Sequence, residues 1–215
     1  MQNVSDRTRA EARRRGRPRA FDRDAALSKA MTLFWRKGYA ATSITDLTTA
    51  MGIGSPSLYA AFGSKDRLYA EAILHYGERN SHLVWSRFDR APTARAAIEA
   101  LLLDSAAALA PENDETPRGC MVTLSAIGGE GCRELGELVA ALRAEALGKV
   151  RSRLARAVAE GELPHDLDIS AVARFYVAVQ NGLSVQARDG ASRAELELAA
   201  RAATAGWDGL VGGPC

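Results

Sequence analysis

The chain has 215 residues, 47% of them hydrophobic, and a formal net charge of +2. This content is enough to bury a substantial core, so we expect one large folded domain or a small domain joined to a larger one. No apolar run approaches the roughly twenty residues that span a bilayer, so we expect no membrane partner.

The cysteines and the N-terminal sequence indicate the compartment. Cys120, Cys132 and Cys215 lack the spacing of metal ligands, and an odd number of cysteines fits a reducing environment. The arginines at 13–15 are followed by polar sequence rather than by the apolar segment of an export signal. We therefore expect a cytoplasmic protein.

The chain begins with a basic segment, residues 1–20, that holds seven arginines and too few apolar residues to fold alone. We expect a flexible arm there. Asp22 is placed to cap the first helix, and the buried face of this helix would carry Leu27, Met31 and Phe34.

The next part of the chain predicts two short helices joined by a tight turn. Ser43 and Asp46 have the spacing of a capping box, which would start a helix that ends at Gly52. After the turn, Ser55 can cap a second helix, and Pro56 lies where its missing N–H costs nothing. This pattern is typical of a helix-turn-helix, although an ordinary αα corner gives a similar one.

The second short helix has the size of a DNA-reading helix. Eight residues span roughly 12 Å, about the width of the major groove. Ser55 and Ser57 are small enough to let the backbone approach base edges, whereas Leu58 and Phe62 would point back into the domain. Ser64 would then cap a further helix that runs to about residue 78, or beyond it if the helix does not break at 77.

The N-terminal third closely resembles the DNA-binding domain of the TetR family of bacterial one-component repressors. The matching motifs are Gly16-Arg17-Pro18-Arg19, Phe34 to Tyr39, Thr42-Ser43, Leu58-Tyr59-Ala60-Ala61-Phe62 and Lys65-Asp66-Arg67-Leu68. The chain departs from the family pattern at Gly54, where many relatives have a capping serine. The resemblance implies a ligand-responsive regulator, most often a repressor, that binds a palindromic operator as a homodimer and is released by a small molecule.

Charge favours the same function. Residues 1–67 hold 13 Lys and Arg against 6 Asp and Glu, so with a total of +2 the remaining residues carry about −5. The arm would lie along phosphates or enter a minor groove; alternatively it is a solvated tail. The expected DNA contacts are Arg17, Arg19, Thr42, Ser43, Thr45, Ser55, Pro56, Ser57, Tyr59 and Lys65.

The rest of the chain predicts helices and no convincing strand. Helix starts are expected near residues 93, 133, 168 and 192. The predicted fold is therefore all-α, with a flexible arm over 1–20, a three-helix helix-turn-helix domain over 21–67 and a larger helical domain for ligand binding and dimerisation over 68–215.

The last two predicted helices carry many small and apolar residues. The resemblance implies that they form a four-helix bundle with a second copy across a two-fold axis; alternatively they close the core of a monomer. The expected interface residues are Val172, Val179, Leu183, Leu196, Ala199, Ala203, Trp207 and Leu210.

The resemblance also implies a cavity among the middle helices that binds a largely apolar effector. The candidate wall residues are Trp85, Phe88, Leu102, Ser105, Cys120, Met121, Leu124, Phe175 and Tyr176. The alternative for each is an ordinary core residue, because apolar residues at helical spacing fill cores more often than they contact ligands. Cys120 supports a second hypothesis, because Arg118 and a nearby helix start would favour its thiolate and make it an electrophile or redox sensor; a buried inert cysteine is the alternative.

Other classes of function have weaker support. The sequence holds no phosphate-binding glycine loop, no Gly-x-Ser-x-Gly motif and no zinc-protease motif, so we expect neither an enzyme nor a cofactor. His75 and His82 share a helix face without a third ligand, so we expect no metal site. A helical adaptor without DNA affinity remains an alternative.

Overall fold

The computed structural model describes residues 22–113, 115–125 and 133–212, and within these ranges all regular secondary structure is helical. The predicted arm with Arg17 and Arg19 lies outside the described residues, as do Cys132 and Cys215. The helices are α1 (Arg23–Lys37), α2 (Ile44–Met51), α3 (Ser55–Phe62), α4 (Lys65–Arg90), α5 (Ala94–Leu109), α6 (Met121–Leu124), α7 (Arg133–Ala159), α8 (Ile169–Arg188), α9 (Arg193–Ala205) and α10 (Trp207–Val211). No described helix is long and apolar enough to cross a bilayer.

Side-chain caps set most of the helix starts, as the sequence predicted. Asp22 accepts from two backbone N–H groups at the start of α1, and Ser64 accepts from Arg67 N–H at the start of α4. Ser43 and Asp46 form a complete capping box that starts α2. Gly52 ends α2 in the left-handed conformation, with φ of 72°.

One helix start and one helix end differ from the prediction, and the structure decides between the two alternatives for the end of α4. Gly54 is the N-cap of α3, so Ser55 is the first helical residue and does not cap the helix as predicted. Helix α4 runs through Gly77 and continues to Arg90. The last predicted helix divides at Gly206, where α9 ends and the five-residue α10 begins.

The described chain has two hydrophobic cores. The N-terminal core joins α1, α2, α3 and the first half of α4, and residues of α6 and α7 also pack into it: Phe34, Leu47, Leu58, Leu68, Tyr69, Ile73, Tyr76, Met121, Leu135 and Val139 are among its members. The C-terminal core joins the end of α4 to α5, α7, α8, α9 and α10. Helix α4 therefore crosses the predicted boundary at residue 67 and connects the two cores.

An ion pair between a buried arginine and a partly exposed glutamate lies at the start of α5. Arg153 of α7 is only 5% exposed, and its Nη2 lies 3.5 Å from Glu162 Oε2. The other carboxylate oxygen of Glu162 accepts from Ala94 N–H, which is a free donor of the first turn of α5. This carboxylate therefore links the end of α7 to the beginning of α5.

Candidate functional site

The exposed face of α3 forms the first part of the site. Leu58 and Phe62 are 0% and 3% exposed and fix the helix to the N-terminal core. On the other side, Ser55, Ser57 and Tyr59 are exposed, and Tyr59 keeps 47% of its surface. Because the anchoring side chains are large and the outward ones mostly small, this helix can approach a groove closely.

A capping box and an ion pair fix the start of α2. The Ser43 backbone and hydroxyl, followed by the ammonium of Lys37 at 3.1 Å, lower the pKa of Asp46 to about 2. The ionised carboxylate thus holds the start of α2 against the end of α1. Helices α1 and α2 are joined at this point by an ion pair as well as by their shared core.

Basic side chains surround the end of α3. Lys65 Nζ lies 4.3 Å from the ring centre of Tyr39, and the Tyr39 hydroxyl donates to Asp66. Arg23 lies 4.4 Å above the Phe62 ring and pairs with Glu71 at 2.6 Å. These contacts hold two positive charges beside the turn between α3 and α4.

The residues predicted to contact DNA in this region differ in their exposure. Ser43, Thr45, Ser55, Pro56, Ser57 and Tyr59 are exposed, and Lys65 is half-buried. Thr42 is 1% exposed, and its hydroxyl donates to the Gly38 carbonyl at 2.6 Å. The Thr42 side chain therefore closes the turn after α1 and has almost no surface for DNA, because its hydroxyl already serves a backbone acceptor.

A cavity of about 830 Å³ lies among α4, α5, α7 and α8 and forms the second part of the site. Three of the nine predicted wall residues line it, namely Trp85, Ser105 and Cys120. The other six, Phe88, Leu102, Met121, Leu124, Phe175 and Tyr176, do not belong to its described lining.

The direction in which each helix face points explains most of these differences. Phe88, Leu102 and Tyr176 are at most 3% exposed and point into the C-terminal core, whereas Met121 packs in the N-terminal core. Phe175 is 40% exposed and faces outward. The sequence pattern identified the buried faces correctly, but a cavity between helices is lined by only part of each face.

The cavity wall also contains hydrogen-bonding groups that the sequence analysis did not select. Gln180 Nε2 donates to Ser105 Oγ at 2.9 Å, and Thr123 Oγ1 donates to Asn181 Oδ1 at 3.2 Å. Gln180 and Asn181 are two neighbouring amides in a helix that is otherwise largely apolar. These two adjacent polar residues interrupt the apolar pattern of α8, and this interruption was the sequence feature that could have pointed to the cavity wall.

Two further groups meet at the end of the cavity nearest the N-terminal core. Burial raises the pKa of Tyr76 well above its usual value, and the neighbouring Cys120 raises it further. Trp35 of α1 also lines the cavity, and its ring packs edge-on against Tyr76 with the centroids 4.8 Å apart. Trp35 of α1 therefore borders the space among the middle helices, together with Ile73 and Tyr76 from the part of α4 that packs in the N-terminal core.

The predicted dimer residues divide into two groups. Val172, Leu183, Leu196 and Trp207 are at most 4% exposed and pack within the core of the chain itself, so they have almost no surface left for a partner. Val179, Ala199 and Ala203 are half-buried, and Leu210 is 37% exposed. The strongly exposed apolar side chains of α8 and α9 are instead Phe175, Val185 and Leu198.

The chain matches known proteins over almost its whole length. Residues 26–72 match the family model described as bacterial regulatory proteins, tetR family. The HTH-type transcriptional repressor ComR of Escherichia coli K12 is 34% identical over 97% of this chain and 99% of its own length. The HTH-type transcriptional repressor BdcR of the same organism is 32% identical, over 93% of this chain and 94% of its own length.

The solved structures include a protein of the same architecture bound to DNA. A cysteine mutant of the TetR family transcriptional regulator CifR, complexed with 26 bp double-strand operator DNA, is 42% identical to this chain. The likeness has a TM-score of 0.82 and covers 88% of this chain and 98% of that one. With the full-length repressors above 30% identity and the matching N-terminal motifs, the chain belongs to the TetR family of bacterial transcriptional regulators.

Proposed function

We propose that this regulator is a repressor that binds a palindromic DNA operator as a homodimer and leaves it when a small molecule binds. The exposed face of α3 carries the proposal, because Leu58 and Phe62 fix this helix while Ser55, Ser57 and Tyr59 remain available. The similarity to CifR, solved on operator DNA, and to two named repressors supports it.

In this proposal, α3 lies in the major groove, and the start of α4 contacts the DNA backbone. Ser55, Pro56 and Ser57 would face base edges, while Tyr59 and Lys65 would hold phosphate oxygens. Ser43 and Thr45 are exposed at the start of α2 and would contact the neighbouring DNA backbone. Arg17 and Arg19 remain predicted contacts from the arm.

A second copy is the proposed occupant of the exposed α8 and α9 surface. Phe175, Val185 and Leu198 are 40%, 49% and 68% exposed, and the small residues Ala178 and Gly182 lie between the first two along α8. Such a surface would be costly to leave in water and lets helices approach closely. Two copies would present two α3 helices to half-sites one DNA turn apart, which a single eight-residue helix cannot do.

The cavity would bind the effector. Its volume of about 830 Å³ lies in the range of small-molecule sites, and its mixture of apolar side chains with Gln180 and Asn181 suits a largely apolar ligand carrying hydrogen-bonding groups. To move the population from nearly all DNA-competent to nearly all released, this ligand must favour the released shape by about 5.5 kcal/mol.

The two cores indicate which part of the chain would bind DNA and which would bind the effector and the second copy. We propose that the DNA-binding unit extends from residue 21 past the predicted boundary at 67 and into the first half of α4, because Leu68, Ile73 and Tyr76 pack in the N-terminal core. The remaining residues would bind the effector and the second copy. As a regulator that works by binding, the protein would catalyse no reaction and would act in the cytoplasm, where bacterial operator DNA lies.

Cys120 supports a second candidate function on the same scaffold, a sensor of electrophiles or oxidants. It is half-buried, lines the cavity and lies beside Tyr76, so a reactive molecule that entered the cavity would meet its thiol. In this case alkylation would lower the operator affinity of the parent protein and not that of Cys120→Ser. Equal operator affinity before and after alkylation in both proteins would remove this candidate.

The salt dependence of binding to a duplex from the DNA beside the gene tests the main proposal. Affinity should fall steeply with salt, with a slope of about −0.9 per phosphate contact in the logarithmic plot. In nuclease footprinting, the segment of that duplex that the protein protects should be an inverted repeat. A flat response, or no binding at low salt, would contradict DNA binding and favour a helical adaptor.

A further inference from the structure

Trp35 connects the helices that would read DNA to the cavity that would bind the effector. It belongs to α1 and is 6% exposed, packed in the N-terminal core with Phe34 and Met31. Its indole also lines the cavity, and Nε1 donates to the Gly119 carbonyl at 2.9 Å. An occupant at this end of the cavity would therefore meet a side chain of α1 itself.

Hydrogen bonds connect the acceptor of this bond, the Gly119 peptide, to the middle helices. Gly119 N–H donates to the Leu109 carbonyl of α5 at 2.8 Å, and Cys120 N–H donates to Ser184 Oγ of α8 at 2.8 Å. Gly119 has φ of 78°, and a Cβ built on it would lie 2.8 Å from the Ser184 carbonyl oxygen. The loop at Gly119 therefore packs closely against α8 and is hydrogen-bonded to α5 and α8, so a shift of either helix should be passed on to Trp35.

Arg188 makes a second connection from the last residue of α8. Its Nη2 donates to the Trp35 carbonyl at 2.9 Å, Nη1 donates to the Arg36 carbonyl at 3.3 Å, and Nε donates to the Arg118 carbonyl at 3.0 Å. The carbonyls of Trp35 and Arg36 lie in the last turn of α1, where the helix has no partners for them. One guanidinium thus joins the C-terminal end of α1 to the loop that carries Gly119.

We propose that Trp35 and Arg188 form a junction through which an occupant of the cavity changes the position of α1 and, with it, of α3. The proposal rests on the function proposed above and assigns the coupling to named residues. An occupant acts on Trp35 directly, or moves α8, whose Gln180, Asn181 and Ser184 line the cavity just before Arg188. Helix α1 carries α2 and α3 with it because Phe34, Leu47 and Leu58 share one core.

Arg188 is a positioning residue in this scheme, since it does not belong to the described lining of the cavity and is not among the proposed DNA contacts. Its role is to transmit, so its removal should change the effect of cavity occupancy on DNA affinity. A merely structural role would change stability and leave that effect intact. Coupling between two sites typically amounts to a factor of about 5 to 150 in affinity.

A cycle of substitutions tests the junction without a known effector. Ala108→Trp on α5 and Ala146→Trp on α7 each put an indole into the cavity from a different wall and serve as fixed occupants. The dissociation constant for the operator duplex is measured by fluorescence anisotropy at one salt concentration. Each filled variant is compared with its unfilled counterpart in the parent, Trp35→Phe, Arg188→Lys and Arg188→Met backgrounds, with thermal unfolding recorded for every protein.

Filling the cavity should weaken operator binding of the parent about 5- to 150-fold. In Trp35→Phe and Arg188→Met this factor should fall below about 2, and Arg188→Lys should lie between the two. Arg156→Met serves as the matched control, because Arg156 is exposed and pairs only with Glu160 in the described structure; it should keep the full factor.

Two results would overturn the proposal, and a third would refute the function on which it rests. An unchanged factor in Trp35→Phe and Arg188→Met would show that the junction does not transmit occupancy. No effect of either filled variant on a parent that binds DNA would show that the cavity is not coupled to α3, while DNA binding itself would stand. Failure of the parent to bind the operator at low salt would instead refute the proposed function.

Discussion

Arg153 and Glu162 form an ion pair between the end of α7 and the start of α5, with 3.5 Å between Nη2 and Oε2; the Arg153 side chain is 4% exposed and the Glu162 side chain 24% exposed. Two other guanidinium nitrogens of Arg153, Nε and Nη1, have no hydrogen-bond partner among the described residues. Glu162 is therefore the main compensation for a buried positive charge, and it also caps the start of α5.

Glu162→Gln should destabilise the protein by about 3–5 kcal/mol, because it leaves the Arg153 charge buried without a counter-charge. Urea unfolding measures the difference. Glu160→Gln, which removes an exposed partner 3.9 Å from Arg156, should cost less than about 1 kcal/mol. The double variant Arg153→Met with Glu162→Gln should recover much of the loss; equal costs for Glu160→Gln and Glu162→Gln would contradict this account.

Gly119→Ala should destabilise the folded protein much more than Gly161→Ala. Both glycines have positive φ, 78° and 75°, so alanine carries a strain of roughly 1–2 kcal/mol at either position. Only at Gly119 would the new Cβ also meet backbone, the Ser184 carbonyl oxygen at 2.8 Å, whereas nothing lies within 4 Å at Gly161. Thermal unfolding of the two variants should therefore differ clearly, and equal melting temperatures would contradict the close packing of α8 on this loop.

Asp46 should give the protein an acid-sensitive contribution to stability. Its pKa falls from 3.8 to about 2 on folding, so the folded state favours the ionised form. This stabilisation is complete above pH 3.8 and is lost as the pH falls through about 2. The free energy of unfolding of the parent should therefore fall more steeply between pH 4 and pH 2 than that of Asp46→Asn; parallel curves would refute the role of the carboxylate.

Substitutions on the α3 surface should distinguish residues that read the base sequence from residues that contact the DNA backbone. Ser57→Ala should change the preference among operator variants, whereas Tyr59→Phe and Lys65→Ala should weaken binding to all of them, Lys65→Ala also reducing the salt slope by about 0.9. Arg151→Ala, on the exposed side of α7, should leave both properties unchanged. Equal loss on every operator variant for Ser57→Ala would exclude base reading by this residue.

The α8 and α9 surface should control the oligomeric state. Phe175→Asp and Leu198→Glu place charges on exposed apolar positions and should convert the dimer to a monomer in sedimentation velocity, with a large loss of operator affinity. Ala141→Glu, exposed on α7, should remain dimeric. Monomers in the parent protein, or dimers in both surface variants, would exclude this face as the interface.

Local chemistry made the helix starts and the DNA-reading unit readable from sequence. Asp22, Ser43 and Ser64 act through hydrogen bonds to residues within three positions, so the pattern alone fixes where α1, α2 and α4 begin. The apolar spacing likewise identified Leu58 and Phe62 as anchors of α3. Gly54 lacks a capping side chain, and this is where the predicted helix start was displaced by one residue.

The sequence by itself determined the all-α fold, the capped helices and the family, because these depend on short-range spacing and on motifs that adjoin along the chain. Tertiary structure decided which side of each buried helix borders the cavity, which apolar residues of α8 and α9 remain exposed, and that Trp35 meets Gly119 and Arg188. These contacts join residues 84 and 153 positions apart, and helix periodicity sets which residues share a face but not what that face will touch.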